Sequence, residues 1–82
     1  MTSQPLTALK IGAAGTVSEI KLRPDQRGRL LEMGLLVGTP VRLVRFAPLG
    51  DPVEIKVRGY HLTLRRNEAD QILVRVSAQT AP

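Results

Sequence analysis

The sequence has no cysteine and no tryptophan, a single histidine (His61), and only Phe46 and Tyr60 as aromatic side chains. Each shortage removes a class of chemistry. Without thiols there is no disulfide framework, thiolate zinc site, iron–sulfur cluster or cysteine nucleophile. Two aromatics are too few for a platform that stacks single-stranded bases. No apolar run approaches the ~18 residues that a membrane helix needs. The opening MTSQPLTALK also lacks the basic and then apolar stretches of a secretory signal. No Ser–His–Asp or paired-carboxylate arrangement is visible. The short GAAGT segment is no GxxxxGK phosphate loop and has no lysine behind it. These absences point to a soluble, cytoplasmic, non-enzymatic domain that works by contact.

What is present bounds the molecule further. A chain of 82 residues is one domain, and at this size it hides only roughly 60–65% of its unfolded surface. With 43% hydrophobic residues and scarce aromatics, the core must be leucine, valine and isoleucine. The formal charge of +5 comes from twelve Lys and Arg against seven Asp and Glu. A basic balance suits an acidic partner such as an acidic protein face, a nucleic acid or a membrane surface. The basic residues are dispersed, with Arg65 and Arg66 the only adjacent pair. Such scatter reads as a solvated face rather than a binding stripe.

Along the chain, residues 1–7 and 77–82 read as flexible tails around a domain at 8–76. Gly12 and Gly15 bracket a turn into the strand-like TVSEI, where Ile20 breaks the alternation set by Val17. The segment RPDQRGRLLEMG reads as a short helix. Pro24 fits its first turn, and Asp25 complements its positive end. Leu30, Leu31 and Met33 supply a narrow apolar face, and Gly28 weakens the interior by roughly 1 kcal/mol relative to alanine. Gly34 suits the left-handed position past the helix end, with Leu35 folding back.

From Thr39 the period becomes two. Val41 and Leu43 share one face, Val44 and Phe46 the other, and that change of parity suggests a bulge. In APLGDP the prolines fix register, Asp51 can bond nearby backbone, and Gly50 can adopt a conformation closed to other residues. Val53, Ile55 and Val57 then point inward, while Glu54, Lys56 and Arg58 point outward. Gly59 is expected to take positive φ in the following turn. Leu62 and Leu64 continue inward, Asn67 is expected to cap one helical turn, and Ile72, Val74 and Val76 close the pattern. The fold class is mainly β: a small SH3-like barrel of about five strands with a short α-helix inserted after the first. Closure removes exposed strand edges, and an OB-type barrel is the alternative.

These segments, taken together, resemble the FeoA family. The match rests on LTALKIGAAGTV, RLLEMGLLVGTPV, APLGDPVEIKVRG, LTLRRNEA and ILVRV, in that order from Leu6 to Val76. The resemblance implies an SH3-like barrel and an accessory role in ferrous iron uptake. The implied partner is FeoB, a membrane transporter with a cytosolic GTP-binding region. The same module occurs at the C-terminus of iron-dependent repressors. There the segment matching RPDQRGRLLE supplies a carboxylate and a glutamine to an ancillary metal site. Here Gln26 matches the glutamine, but Arg23 stands at the carboxylate position, and a guanidinium repels a cation.

The candidate partner-binding residues are Arg27, Arg29, Leu49 and Arg66. Arg27 and Arg29 flank the apolar run Leu30 to Val37, part of which a short helix leaves exposed. Leu49 stands at a loop tip. Charge reversal at Arg27 and Arg29 is expected to weaken transporter binding while leaving the thermal midpoint nearly unchanged. His61, with Glu54 or Asp51, is the furthest the residues go towards Fe²⁺ or another transition metal. It reads instead as an outward turn residue, so no metal site and no cofactor are assigned. Two rival functions are a transition-metal-binding regulatory domain and a basic barrel binding nucleic acid nonspecifically. Neither a recognition helix nor an aromatic surface supports the second, so no nucleic acid is expected, and membrane contact is expected only through the partner.

Overall fold

In the computed structural model, residues 3–76 are described. Among these residues six strands and two α-helices follow one another as β1 (Ser3–Pro5), β2 (Ala14–Ile20), α1 (Pro24–Glu32), β3 (Pro40–Phe46), β4 (Val53–Val57), β5 (Tyr60–Leu64), α2 (Arg66–Ala69) and β6 (Ile72–Val76). All pairings are antiparallel, in the order β1-β6-β2-β3-β4-β5. The sheet has one strand more than expected, and α1 therefore follows the second strand.

The added strand lies in a segment read as a tail. Ser3, Gln4 and Pro5 pair with Arg75, Val74 and Leu73 of β6, and Leu6 is fully buried in a 3₁₀ turn just after them. A proline is tolerated because β1 is an edge strand, and Leu6 anchors the segment to the core. Paired structure is therefore present from Ser3. The remaining tail assignments, residues 1–2 and 77–82, lie outside the described residues.

Two bulges explain the irregular hydrophobic pattern. In β2 the register with β6 shifts between Val17 and Glu19, so Val17 and Ile20 both face inward. In β3 it shifts between Leu43 and Arg45, as the parity change there suggests. Phe46 consequently packs on the core that Val41 and Leu43 enter directly. Each bulge bends its strand and strengthens the local twist, which is how a six-stranded sheet wraps round a small core. That core is aliphatic: Leu6, Val17, Leu30, Leu35, Leu43, Ile55, Leu64 and Ile72 are all essentially sealed from solvent. Strands β1 and β5 are the sheet's edges, and no ladder joins them among the described residues.

Helix α1 begins with Pro24 in its first turn and ends in a Schellman motif. The N–H of Gly34 donates to the Leu31 carbonyl at 2.9 Å, and that of Leu35 to the Leu30 carbonyl at 3.0 Å. Gly34 has φ 88°, and a Cβ there would stand 2.5 Å from the Tyr60 hydroxyl. That hydroxyl donates to the Met33 carbonyl, so β5 is moored to the helix end. Leu35 folds back and is fully buried.

Two local expectations are corrected. Asn67 does not cap α2. Asp51 Oδ1 accepts the Arg66 N–H at 3.1 Å, and Glu68 reaches back to the Arg65 N–H at 3.4 Å. Asn67 lies inside the helical turn, so it has no free position from which to act. In the β4–β5 hairpin, Arg58 rather than Gly59 takes positive φ, at 55°. The two-residue loop closed by the Val57–Tyr60 pair needs a left-handed residue to match strand twist. It places that residue first.

Candidate functional site

The candidate surface is built where α1, α2 and the β3–β4 turn meet. Arg29 on α1 pairs with Glu68 on α2. Glu68 is only 4% exposed, and a carboxylate so desolvated needs its cation. Arg29 is half exposed, so it holds α2 in place while showing part of its guanidinium to solvent. This alters the expectation for charge reversal: at Arg29 the change attacks the fold as well as the surface. Arg27 Nη2 donates to the Ile20 carbonyl at 3.2 Å, pinning α1 to the end of β2.

Leu49 and Arg66 come together at the turn. Gly50, with φ 87°, donates its N–H to the Ala47 carbonyl at 2.7 Å, and Ala47 donates to the Pro52 carbonyl at 3.0 Å. Asp51 caps α2, and the Arg66 guanidinium lies 5.3 Å from the Phe46 ring centroid. The turn is thus tied to α2 from both sides. Leu49 projects from it, 95% exposed, and nothing in the fold gains from its apolar side chain. Register and capping explain the prolines, Gly50 and Asp51; they leave Leu49 unexplained.

A second apolar group stands at the far end of α1. Leu31, Leu36 and Val37 are exposed although their neighbours Leu30 and Leu35 are buried. The loop carrying Leu36 and Val37 is fastened to β2 by hydrogen bonds. Thr39 Oγ1 accepts the Leu36 N–H at 3.0 Å, Gly38 donates to the Val17 carbonyl at 2.7 Å, and Val17 donates to the Thr39 carbonyl at 2.9 Å. Leu36 and Val37 are therefore held outward by backbone bonds instead of collapsing onto the core.

The residues considered for a metal are divided. His61 Nδ1 lies 3.5 Å from Glu54 Oε2, but Glu54 Oε1 accepts Arg45 Nε at 3.0 Å, and Asp51 is engaged with Arg66. Arg23 pairs with Asp25 at 3.5 Å, leaving Gln26 without a carboxylate from that position. Among the described residues, no three His, Asp or Glu side chains gather where they would hold a metal ion.

Two structural residues escaped the sequence reading. Glu68 carried no signal of burial, because it stands in the polar run RRNEAD. Tyr60 carried none of its bond to Met33, which lies 27 positions away in the chain.

Comparison with known proteins adds independent findings. The sequence model of the FeoA domain matches residues 4–76. An Fe(2+) transport protein A/Fe(2+) transporter FeoB fusion protein of Porphyromonas gingivalis is 34% identical over 76 residues, covering 93% of this chain and 9% of its own length. This chain therefore spans about a tenth of that relative. The solution structure of FeoA from Chlorobium tepidum superposes with a TM-score of 0.85 at 42% identity, over 89% of this chain and 70% of that one. A manganese-dependent transcriptional repressor reaches a TM-score of 0.86 over 94% of this chain and 38% of its own, at 19% identity. That likeness is one of fold.

Proposed function

The chain belongs to the FeoA family, a family of ferrous iron transport, and on that premise we propose that it is a non-enzymatic accessory protein that docks on a FeoB-type transporter and modulates iron uptake. The observation that carries this reading is the relative in which FeoA and FeoB sequences share one polypeptide. The domain would act at the cytoplasmic side, against the transporter's GTP-binding region. Among the described residues, no helix is long and apolar enough to cross a membrane.

Docking is assigned to the outward aliphatic group Leu31, Leu36 and Val37, with Leu49 and Arg66 at the turn as a second contact point. Exposed aliphatic residues held outward by backbone hydrogen bonds suit a protein partner, since they are desolvated at little ordering cost. Arg27 and Arg29 form the basic rim of α1. Modulation requires that the domain bind two transporter conformations unequally, because a ligand shifts an equilibrium only by its differential affinity.

A pull-down with the cytosolic GTP-binding region of the cognate FeoB tests the reading. The wild-type chain is expected to be retained. A Leu36→Ser, Val37→Ser double variant that keeps its thermal midpoint is expected to be lost from the bound fraction. Equal retention of both proteins would remove docking from this surface, and no retention of either would remove the proposed partner region.

A further inference from the structure

The outer face of β3 and β4 gathers charges that the sequence scatters. Arg42 stands directly opposite Lys56, and Lys56 opposite His61. Arg58 follows at the β4–β5 turn. Together with Ala14, Pro40 and Val41, the side chains of Arg42, Lys56 and Arg58 line a cleft of about 260 Å³. Among the described residues no acidic side chain lines it. Among the described residues no carboxylate pairs with Arg42, Lys56 or Arg58. Glu54 is the acid on the same face of β4, and its two oxygens face Arg45 and His61.

We propose that this cleft binds a small soluble oxyanion of the phosphate class. One feature of the fold is unfavourable without such a ligand. Like charges directly opposite in a sheet destabilise the pairing, and Arg42 faces Lys56 in this way. That repulsion is relieved when an anion sits between the cations. The donors suit the ligand: two guanidinium forks offer bidentate hydrogen bonds to phosphoryl oxygens, and the ammonium adds a point charge. Arg42 is already oriented, because its Nη1 donates to the Gly12 carbonyl at 2.6 Å while its other N–H groups remain available. The cleft lies below the ~300 Å³ at which ligand pockets usually begin, and among the described residues no aromatic ring lines it. Those limits favour a phosphate or pyrophosphate group over a whole nucleotide. The site is independent of transporter docking, since none of its residues belongs to the α1–α2 surface.

Amide chemical shifts followed during titration with inorganic pyrophosphate and phosphate, at constant ionic strength, test the proposal. Saturable shifts are expected around Ala14, Arg42, Lys56 and Arg58. Arg58→Gly removes the charge while accepting the backbone conformation, so the fold is retained. Combined with Lys56→Gln it is expected to weaken binding by about tenfold or more. A control removing the same charge elsewhere, Lys10→Gln with Lys21→Gln, is expected to leave binding within about twofold. Equal weakening by both pairs would reduce the effect to net charge and overturn the site. Shifts that never saturate would overturn it too, as would binding to phosphatidylglycerol vesicles without a response to soluble pyrophosphate.

Discussion

Two regions of this barrel use arginine in opposite ways. At the helical end, Arg29 neutralises Glu68, Arg27 bonds the Ile20 carbonyl and Arg66 lies over Phe46. On the β3–β4 face, Arg42, Lys56 and Arg58 stand together without a carboxylate among the described residues. A formal charge of +5 describes neither region. The first set of cations is fastened to the fold by a desolvated carboxylate, a carbonyl and a ring, and offers a partner only what those contacts leave exposed. The second set is held against its own repulsion, so its value lies in what it meets from solution. Fixed contacts, more than the count of charges, separate the arginines of the helical end from Lys56 and Arg58, while Arg42 keeps one bond to the Gly12 carbonyl.

Charge reversal should expose that difference most sharply. Arg29→Glu would place a second carboxylate beside the buried Glu68. Allowing for the half-exposed position of Arg29, the expected loss is about 3 kcal/mol, seen as a fall in thermal midpoint of roughly 10–20 °C. An unchanged midpoint would put Arg29 among the surface cations. Asp51→Ala removes the side-chain cap that the hairpin turn provides to α2 and should cost about 1 kcal/mol in chemical denaturation. A loss below a few tenths would mean that the prolines alone hold the turn. Gly28→Ala should act in the other direction. Nothing lies within 4 Å of a Cβ built at Gly28, so helix propensity alone operates, with a gain of roughly 0.5–1 kcal/mol. Lys56→Glu is the counterpart of Arg29→Glu on the other face. It converts a like-charge cross-strand pair with Arg42 into an opposite-charge pair and should stabilise by about 0.5 kcal/mol. Opposite signs for the two reversals sustain the comparison; the same sign for both would dissolve it.

The mainly β fold, the aliphatic core and the helix end at Gly34 were legible because each is encoded within a few neighbouring residues. Alternation at Val53, Ile55 and Val57 marks a strand wherever it pairs, and Gly34 followed by Leu35 marks a helix end by local chemistry. The pairing of β1 was not legible. Ser3 to Pro5 carry no alternation, and their partners in β6 lie about seventy positions away. Separations of 39 and 27 positions likewise hid the partners of Arg29 and Tyr60. Asp51 was read as bonding nearby backbone, whereas it caps a helix fifteen positions further on. Of the four candidate contact residues, Leu49 stands free as the loop-tip pattern implied, and Arg66 joins it through Asp51 and Gly50. The gathering of Arg42, Lys56 and Arg58 needed the register of two ladders, which outward-pointing side chains on a single strand do not supply.

Docking on the transporter is the central claim, and calorimetric titration of the cognate FeoB GTP-binding region with three forms of the chain addresses it most directly. Wild type and the Lys56→Gln, Arg58→Gly variant should bind with one stoichiometric site and similar affinity, while Leu36→Ser, Val37→Ser should show little heat beyond dilution. No binding by any form, or loss confined to the basic-cleft variant, would contradict it.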